Sequence, residues 1–136
     1  QLPEPVVLIS LTQEEIVMAD ALTAVFSAWG DTDPKSRAAT LGAALATDFY
    51  YADPNVPAPI TNIDVLGGYL AGFSENIPGA SAQVAGPPSA HNGHARVFVD
   101  FLKDGTRMMR GQYFADLDDA GKITRLIGFA GTGEEK

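Results

Sequence analysis

Asp53 precedes Pro54 at the end of an aromatic run, Phe49-Tyr50-Tyr51, and opens a loop stiffened by Pro57 and Pro59. An aspartate at the mouth of an apolar pocket can act as a general base near neutral pH if burial raises its proton affinity and its target lies within hydrogen-bond reach. The same residue type also suits a turn, where its carboxylate bonds to backbone N–H groups beside the proline. Further along, Asp104-Gly105 marks a two-residue hairpin turn, which sets Arg96 opposite Tyr113, Phe98 opposite Gly111 and Asp100 opposite Met109 on one sheet face. The same logic at the next turn pairs Tyr113 with Leu126. A phenol and a guanidinium then sit amid apolar side chains, the pattern of a small-ligand pocket with a few polar anchors. In that arrangement Asp53 is the base and Tyr113 donates its hydroxyl to a developing oxyanion. Arg96 orients the phenol or neutralises an acidic substrate. The alternative is a solvated face carrying Arg96 and Asp100 with Phe98 partly covered, and a one-residue slip in register would exchange the two faces.

The apolar candidates for lining such a pocket are Trp29, Tyr51, Tyr69, Phe73, Phe98, Met109 and Leu126, although aromatics at these spacings equally suit a core. His91 and His94 flank Asn92-Gly93, a turn that prevents a helical two-histidine metal face, and spacing offers no third ligand. Asp116, Asp118 and Asp119 lack the spacing and closing glutamate of a calcium loop and suit a solvated acidic turn. With no cysteine there is no thiol nucleophile or thiolate ligand. Neither a metal nor a cofactor is expected.

The elements that must position these residues fall in two blocks. Thr12 with Glu15 forms a capping box, and Met18, Leu22, Val25, Phe26 and Trp29 recur on one helical face, predicting a helix over 12–29. Asp33-Pro34 starts a second helix over 34–46, with Ala38, Leu41, Ala44 and Leu45 as its buried stripe. Thr61 or Asn62 caps a third over 62–75 with Val65, Leu66, Tyr69, Leu70 and Phe73 inward. Gly67, Gly68 and Gly72 would each weaken that helix by about 1 kcal/mol, which close backbone packing would explain. The remainder reads as strands: Ser81 to Ala85, broken by Pro87-Pro88; His94 to Leu102; Arg107 to Leu117; and Lys122 to Ala130. Residues 1 to 10, with Pro3 and Pro5 before Val6 to Ile9, suit an extended arm, and the tail from Gly131 is polar. Helices followed by a meander predict an α+β domain whose helices cover one face of a curved, mostly antiparallel sheet.

A chain of 136 residues, 46% hydrophobic, can bury a self-sufficient core, so one domain is expected. The net charge of −8 disfavours nucleic acid. Its apolar runs fall far short of the ~20 residues of a membrane span. A cytoplasmic location is the default expectation; the chain begins at Gln1, so a removed targeting segment would leave no trace.

The order of helix, helix, aromatic strand, Asp-Pro step, helix and antiparallel strands resembles the nuclear transport factor 2-like superfamily over residues 12 to 130. More narrowly it is similar to the SnoaL-like proteins, relatives of polyketide cyclases and ketosteroid isomerase. The residues that carry the likeness are Asp53-Pro54, Pro78-Gly79, His91-Asn92-Gly93, Arg96, Asp104-Gly105, Gly111 and Gly121-Lys122-Ile123. The resemblance implies a cone of helices and sheet around a pocket. In ketosteroid isomerase-like relatives the aspartate of the Asp-Pro step is the general base, which matches Asp53. Where such relatives carry a second carboxyl on a later strand this chain has Tyr113, and Thr23 stands near the place of their first-helix tyrosine.

Two functions follow as expectations. One is a pocket for a small, largely apolar organic molecule, with isomerase or cyclase chemistry by Asp53 assisted by Tyr113 or Arg96. The other is a non-catalytic ligand-binding or dimerisation module with a vestigial pocket. In either case a homodimer is expected through the sheet face bearing Val97, Val99, Phe101, Met108 and Phe114, which a meander would otherwise leave exposed.

Overall fold

The computed structural model describes residues 12–133; the arm expected over residues 1 to 10 lies outside them. Helix α1 (Gln13–Ser27) begins at the capping box. Thr12 Oγ1 accepts from the Glu15 N–H at 3.1 Å, and Glu15 Oε1 accepts from the Thr12 N–H at 2.9 Å. A 3-10 turn, Ala28–Gly30, follows. Helix α2 (Pro34–Ala44) is capped by Asp33, which accepts from the N–H groups of Lys35 and Ser36. Of the two candidate caps for α3 (Ile63–Asn76), Asn62 serves, accepting from Val65 N–H at 2.8 Å. Each cap satisfies N–H groups that the first turn leaves free.

The strands are β1 (Leu45–Ala52), β2 (Ala80–His91), β3 (His94–Lys103), β4 (Thr106–Leu117) and β5 (Ile123–Ala130), in the spatial order β1-β5-β4-β3-β2. All neighbours are antiparallel except β1 and β5. Three helices packed on a mostly antiparallel sheet make the α+β architecture expected.

Two hairpins form at the dipeptides that signalled them, with Asn92 and Gly93, and Asp104 and Gly105, all at positive φ. Pro87-Pro88 does not end β2, contrary to expectation. β2 is an edge strand, and Gly86-Pro87-Pro88 sits in a bulge between the Ala85–Phe98 and Ser89–Arg96 pairs, where the missing proline N–H groups break no continuous ladder.

A second bulge changes the central register. Beside the turn, Lys103 pairs with Thr106 and Leu102 with Arg107, as a two-residue hairpin requires; then Phe101 pairs with Met109, leaving Met108 as the extra residue. Beyond it every pair is displaced by one from the expected set. Arg96 faces Phe114, Val97 faces Tyr113, Phe98 faces Gln112 and Asp100 faces Arg110. Tyr113 pairs with Gly128, and Leu126 with Ala115.

The displacement decides which face is inside. Val97, Val99 and Tyr113 join Leu22, Val25 and Phe26 of α1 and Leu66 and Leu70 of α3 in one buried cluster. Val97 and Val99 therefore cannot form the intermolecular surface expected of them: the chain's own helices cover that face. The other face carries Arg96, Phe98, Asp100, Arg110, Gln112 and Phe114. There Asp100 holds Arg110 in a bidentate ion pair at 2.6 and 3.0 Å, and the Arg110 hydrogen bond keeps the Asp100 carboxyl below its ordinary range.

The α3 glycines also depart from expectation. A Cβ added at Gly67, Gly68 or Gly72 would meet nothing within 4 Å, so close packing does not account for them.

Candidate functional site

One open end of the helix–sheet sandwich holds a cavity of about 490 Å³. Phe73 and Ile77 of α3 and its end, Phe101 of β3 and Met108 and Met109 of β4 supply its apolar wall, and β5 borders it at Gly128, Phe129 and Ala130. Met108 and Met109 are adjacent in sequence yet both reach the cavity, because the bulge at Met108 suspends the alternation of a regular strand. The polar side is Asp53, Asn55, Tyr69 and Tyr113.

Asp53 divides its two oxygens between the two roles considered for it. Oδ1 accepts from the Asn55 N–H at 2.7 Å, the turn-forming contact beside Pro54. Oδ2 accepts from two phenols, Tyr51 at 2.5 Å and Tyr69 at 2.7 Å. Tyr51 lies near the end of β1, two residues before Asp53, which follows the strand directly, and Tyr69 reaches across from α3. The Tyr51 hydroxyl also lies 2.8 Å from that of Tyr113, and the chain Tyr69–Asp53–Tyr51–Tyr113 runs along the floor of the cavity.

The Tyr113 ring owes its position to its cross-strand partner. A Cβ on Gly128 would stand 2.6 Å from the ring carbons Cε2 and Cζ, so the ring lies against bare backbone. Phe26 packs edge-on against it, with ring centroids 4.8 Å apart. Burial pushes the Tyr113 phenol well above its ordinary value near 10, and the negative charge of Asp53 adds to the rise. Tyr51, fully buried, is raised for the same first reason, with Tyr113 and Asp53 reinforcing it. Tyr69 is raised by burial and by its bond to Asp53. All three are therefore neutral hydroxyls at physiological pH, each with one hydrogen to donate.

Of the residues singled out from sequence, Asp53, Tyr113, Tyr69, Phe73 and Met109 line the cavity together. Tyr51 lies one layer beneath, joined to both Asp53 and Tyr113. Trp29 and Leu126 are buried in the core and do not line the cavity; Trp29 packs on Phe26 and Tyr51. Arg96 and Phe98 are on the opposite sheet face, because the Met108 bulge reverses the facing assumed for them. Arg96 therefore neither orients Tyr113 nor reaches a ligand in this cavity. Phe101, Met108 and Ile77 were not anticipated as lining residues, nor was the tyrosine pair on Asp53. The spacing Tyr51-x-Asp53 at the end of a strand was the available signal for one of that pair.

His91 and His94 pair across the β2–β3 turn, and His94 Nδ1 lies 2.6 Å from Asp116 Oδ1. Among the described residues no three His, Cys, Asp or Glu side chains gather in a way that could hold a metal ion. No helix there is long and apolar enough to cross a membrane.

Comparison with solved structures places this architecture. A SnoaL-like protein of Agrobacterium tumefaciens, proposed to be an isomerase, superposes with a TM-score of 0.75 at 22% identity, over 89% of this chain and 100% of that one. A SnoaL-like protein of Jannaschia, proposed as a polyketide cyclase, gives 0.68 at 13% identity, over 88% and 89%. An epoxide hydrolase of M. tuberculosis, of the LEH-like kind, gives 0.61 at 17% identity, over 89% and 83%. No protein-family model matches the chain, and no curated protein matches it. The chain thus has the nuclear transport factor 2-like fold. The likeness to SnoaL-like and ketosteroid isomerase-like proteins, carried in the sequence by short turn motifs, extends across the architecture.

Proposed function

We propose that the cavity binds a small, largely apolar organic molecule bearing one oxygen acceptor, and that Asp53 moves a proton between two positions on it, an isomerase-type reaction. The observation that carries this reading is the convergence of the Asp53 carboxylate and the Tyr113 hydroxyl on one apolar cavity. A base that takes a proton from carbon needs a partner where the charge develops, and a neutral phenol in a low-dielectric wall is such a partner. Neither Lys, Arg nor His lines the cavity among the described residues. An anionic ligand would meet the Asp53 charge with no compensation, so the favoured ligand is neutral. An acidic substrate held by Arg96 is not supported, given where Arg96 lies.

The reading is tested by incubating the protein in D2O with a panel of neutral alicyclic ketones and following exchange at the carbon beside the carbonyl by NMR. Exchange accelerated by the protein and reduced about 100-fold in Asp53→Asn, with folding intact, is the expected result. Exchange unaffected by Asp53→Asn, in a protein that still binds the ketone, would leave a binding pocket without this chemistry.

A second reading concerns the outer sheet face, where Phe98, Phe114 and Phe129 are 36, 41 and 53% exposed and Phe114 meets Phe129 edge-on. Such a patch suits pairing with a second copy of the chain. Sedimentation should then show a dimer that Phe114→Asp dissociates; a wild-type monomer at micromolar concentration would remove this reading.

A further inference from the structure

The hydroxyls along the cavity floor can be counted proton by proton. Each tyrosine has one O–H hydrogen to donate. With Asp53 ionised, Oδ2 takes the hydrogens of Tyr51 and Tyr69. Tyr51 has then nothing left to donate, so the 2.8 Å contact between Tyr51 and Tyr113 is filled by the Tyr113 hydrogen. In this state Tyr113 shows the cavity only lone pairs and cannot donate to a ligand oxygen. Once Asp53 holds a proton, its own O–H can turn to Tyr51, Tyr51 can turn to Tyr113, and the Tyr113 hydrogen is released toward the cavity.

We infer that Tyr51 is a positioning residue that couples the two ends of the site, so that Tyr113 becomes a donor to the ligand only while Asp53 is protonated. This rests on the reading that Asp53 takes a proton from the bound molecule. In that step the ligand C–H bond breaks, its proton bonds to the Asp53 carboxylate, and the electron pair spreads onto the ligand oxygen. The hydroxyls of Tyr51 and Tyr113 then rotate, and the Tyr113 O–H faces the new oxyanion. Return of the Asp53 proton to another ligand carbon restores the electron pair to a C–H bond and resets the chain. No proton enters or leaves overall. The donor is thus withheld from the ground state and supplied as charge develops, the condition under which an interaction accelerates the chemical step.

The geometry favours such coupling. Tyr51 is wholly buried, so neither solvent nor ligand competes for its hydrogen. The titratable side chains facing it are Asp53, two residues on in the same loop-proximal stretch, Tyr113 from β4 and Tyr69 from α3; among the described residues none of these partners is a cation. Tyr69 is not a competing donor in the resting state, since its hydrogen is also held by Asp53.

The test uses 4-nitrophenolate as a stand-in for the oxyanion, with affinity read from its absorbance at a pH where the free probe is ionised. Four proteins form a cycle: wild type, Tyr113→Phe, Asp53→Asn and the double variant. Asparagine can present its amide N–H to Tyr51 permanently, which mimics protonated Asp53. Removing the Tyr113 hydroxyl should therefore weaken binding about tenfold or more in the Asp53→Asn background, and less than about twofold in the wild-type background, where the phenol points away. With Tyr51→Phe added throughout, the Tyr113 effect should become the same for aspartate and asparagine at position 53, a result that general loss of packing would not produce. Should Tyr51→Phe fail to fold, the first four proteins decide the matter, since all retain Tyr51. An equal contribution of Tyr113 with and without Asp53→Asn overturns the coupling alone. Failure of 4-nitrophenolate to bind any of them overturns the coupling together with the oxyanion subsite of the proposed function.

Discussion

Replacing Gly128 by alanine should dismantle the hydroxyl chain without substituting any of its members. The added methyl would stand 2.6 Å from two ring carbons of Tyr113, about 1 Å inside ordinary carbon–carbon contact. With Phe26 packed edge-on at 4.8 Å between ring centroids, the Tyr113 ring has little room to shift without displacing that neighbour or swinging toward the cavity. Overpacking of this kind costs roughly 1–3 kcal/mol. A ring shift of about 1 Å also stretches the 2.8 Å contact with Tyr51 beyond bonding distance, adding about 1 kcal/mol for a buried hydrogen bond. The expected loss is thus about 2–4 kcal/mol. For 136 residues at about 2.1 cal/mol/K each, the unfolding entropy makes 1 kcal/mol worth roughly 3–4 °C, so Tm should fall by about 7–14 °C. Thermal unfolding followed by circular dichroism measures this. A double-mutant cycle then isolates the cause: in a Tyr113→Ala background, Gly128→Ala should cost less than about 0.5 kcal/mol, because nothing remains for the methyl to strike. A full penalty in both backgrounds would refute the argument, and would place the cost in the strand backbone instead of the ring.

Two other outcomes follow from the same geometry. Burial raises Tyr51, Tyr69 and Tyr113 above the ordinary phenol value of 10, so the folded protein holds protons that the unfolded chain releases there. That stabilisation is complete below about pH 10 and is lost as pH rises toward the folded values; phenolate absorbance from these three should appear only with loss of the folded circular dichroism, and reversible ionisation of every tyrosine near pH 10 in a folded protein would contradict it. Gly68→Ala in α3, exposed and with open space at its Cβ, should raise stability by about 0.5–1 kcal/mol in denaturant titrations, whereas a loss would show a constraint on that helix that its surroundings do not display.

Much of the fold was legible because its signals are local. A capping box or an Asn-Gly turn satisfies backbone groups within four residues, and such chemistry acts before any tertiary contact exists. Thr12 with Glu15, Asp33-Pro34, Asn92-Gly93 and Asp104-Gly105 all act in the structure as their residue types require. Asp53 was legible for a related reason, since a carboxylate between an aromatic strand and a proline loop is held by its own neighbours whichever face the strand presents. Pro87-Pro88 was misleading because proline stops a strand only where its missing N–H is needed, and an edge position with a bulge does not need it.

The facing of the central hairpin was a different kind of problem. Nothing in Thr106-Arg107-Met108-Met109-Arg110 marks a bulge by residue type, since it carries no glycine or proline, yet one extra residue there exchanges every side chain beyond it between core and solvent. Burial cost could have resolved what turn geometry could not. Putting Arg96 and Asp100 inside asks a guanidinium and a carboxylate to leave water beside an apolar wall, while Val97 and Val99 would be left outside. The observed facing does the reverse: the valines are buried and Asp100 pairs with Arg110 on the outer face. The same bulge then turns two successive methionines into the cavity and keeps Tyr113 on the inner face, within reach of Tyr51, while the separate shift at Asp116 and Leu117 sets that ring against Gly128. The irregularity that hid the site from a pairwise reading of the strands is therefore part of what builds it, and removing Met108 by deletion should return β3 and β4 to regular pairing with Phe101 still opposite Met109 and Val97 still opposite Tyr113, so that Tyr113 keeps the inner face while the cavity loses one methionine.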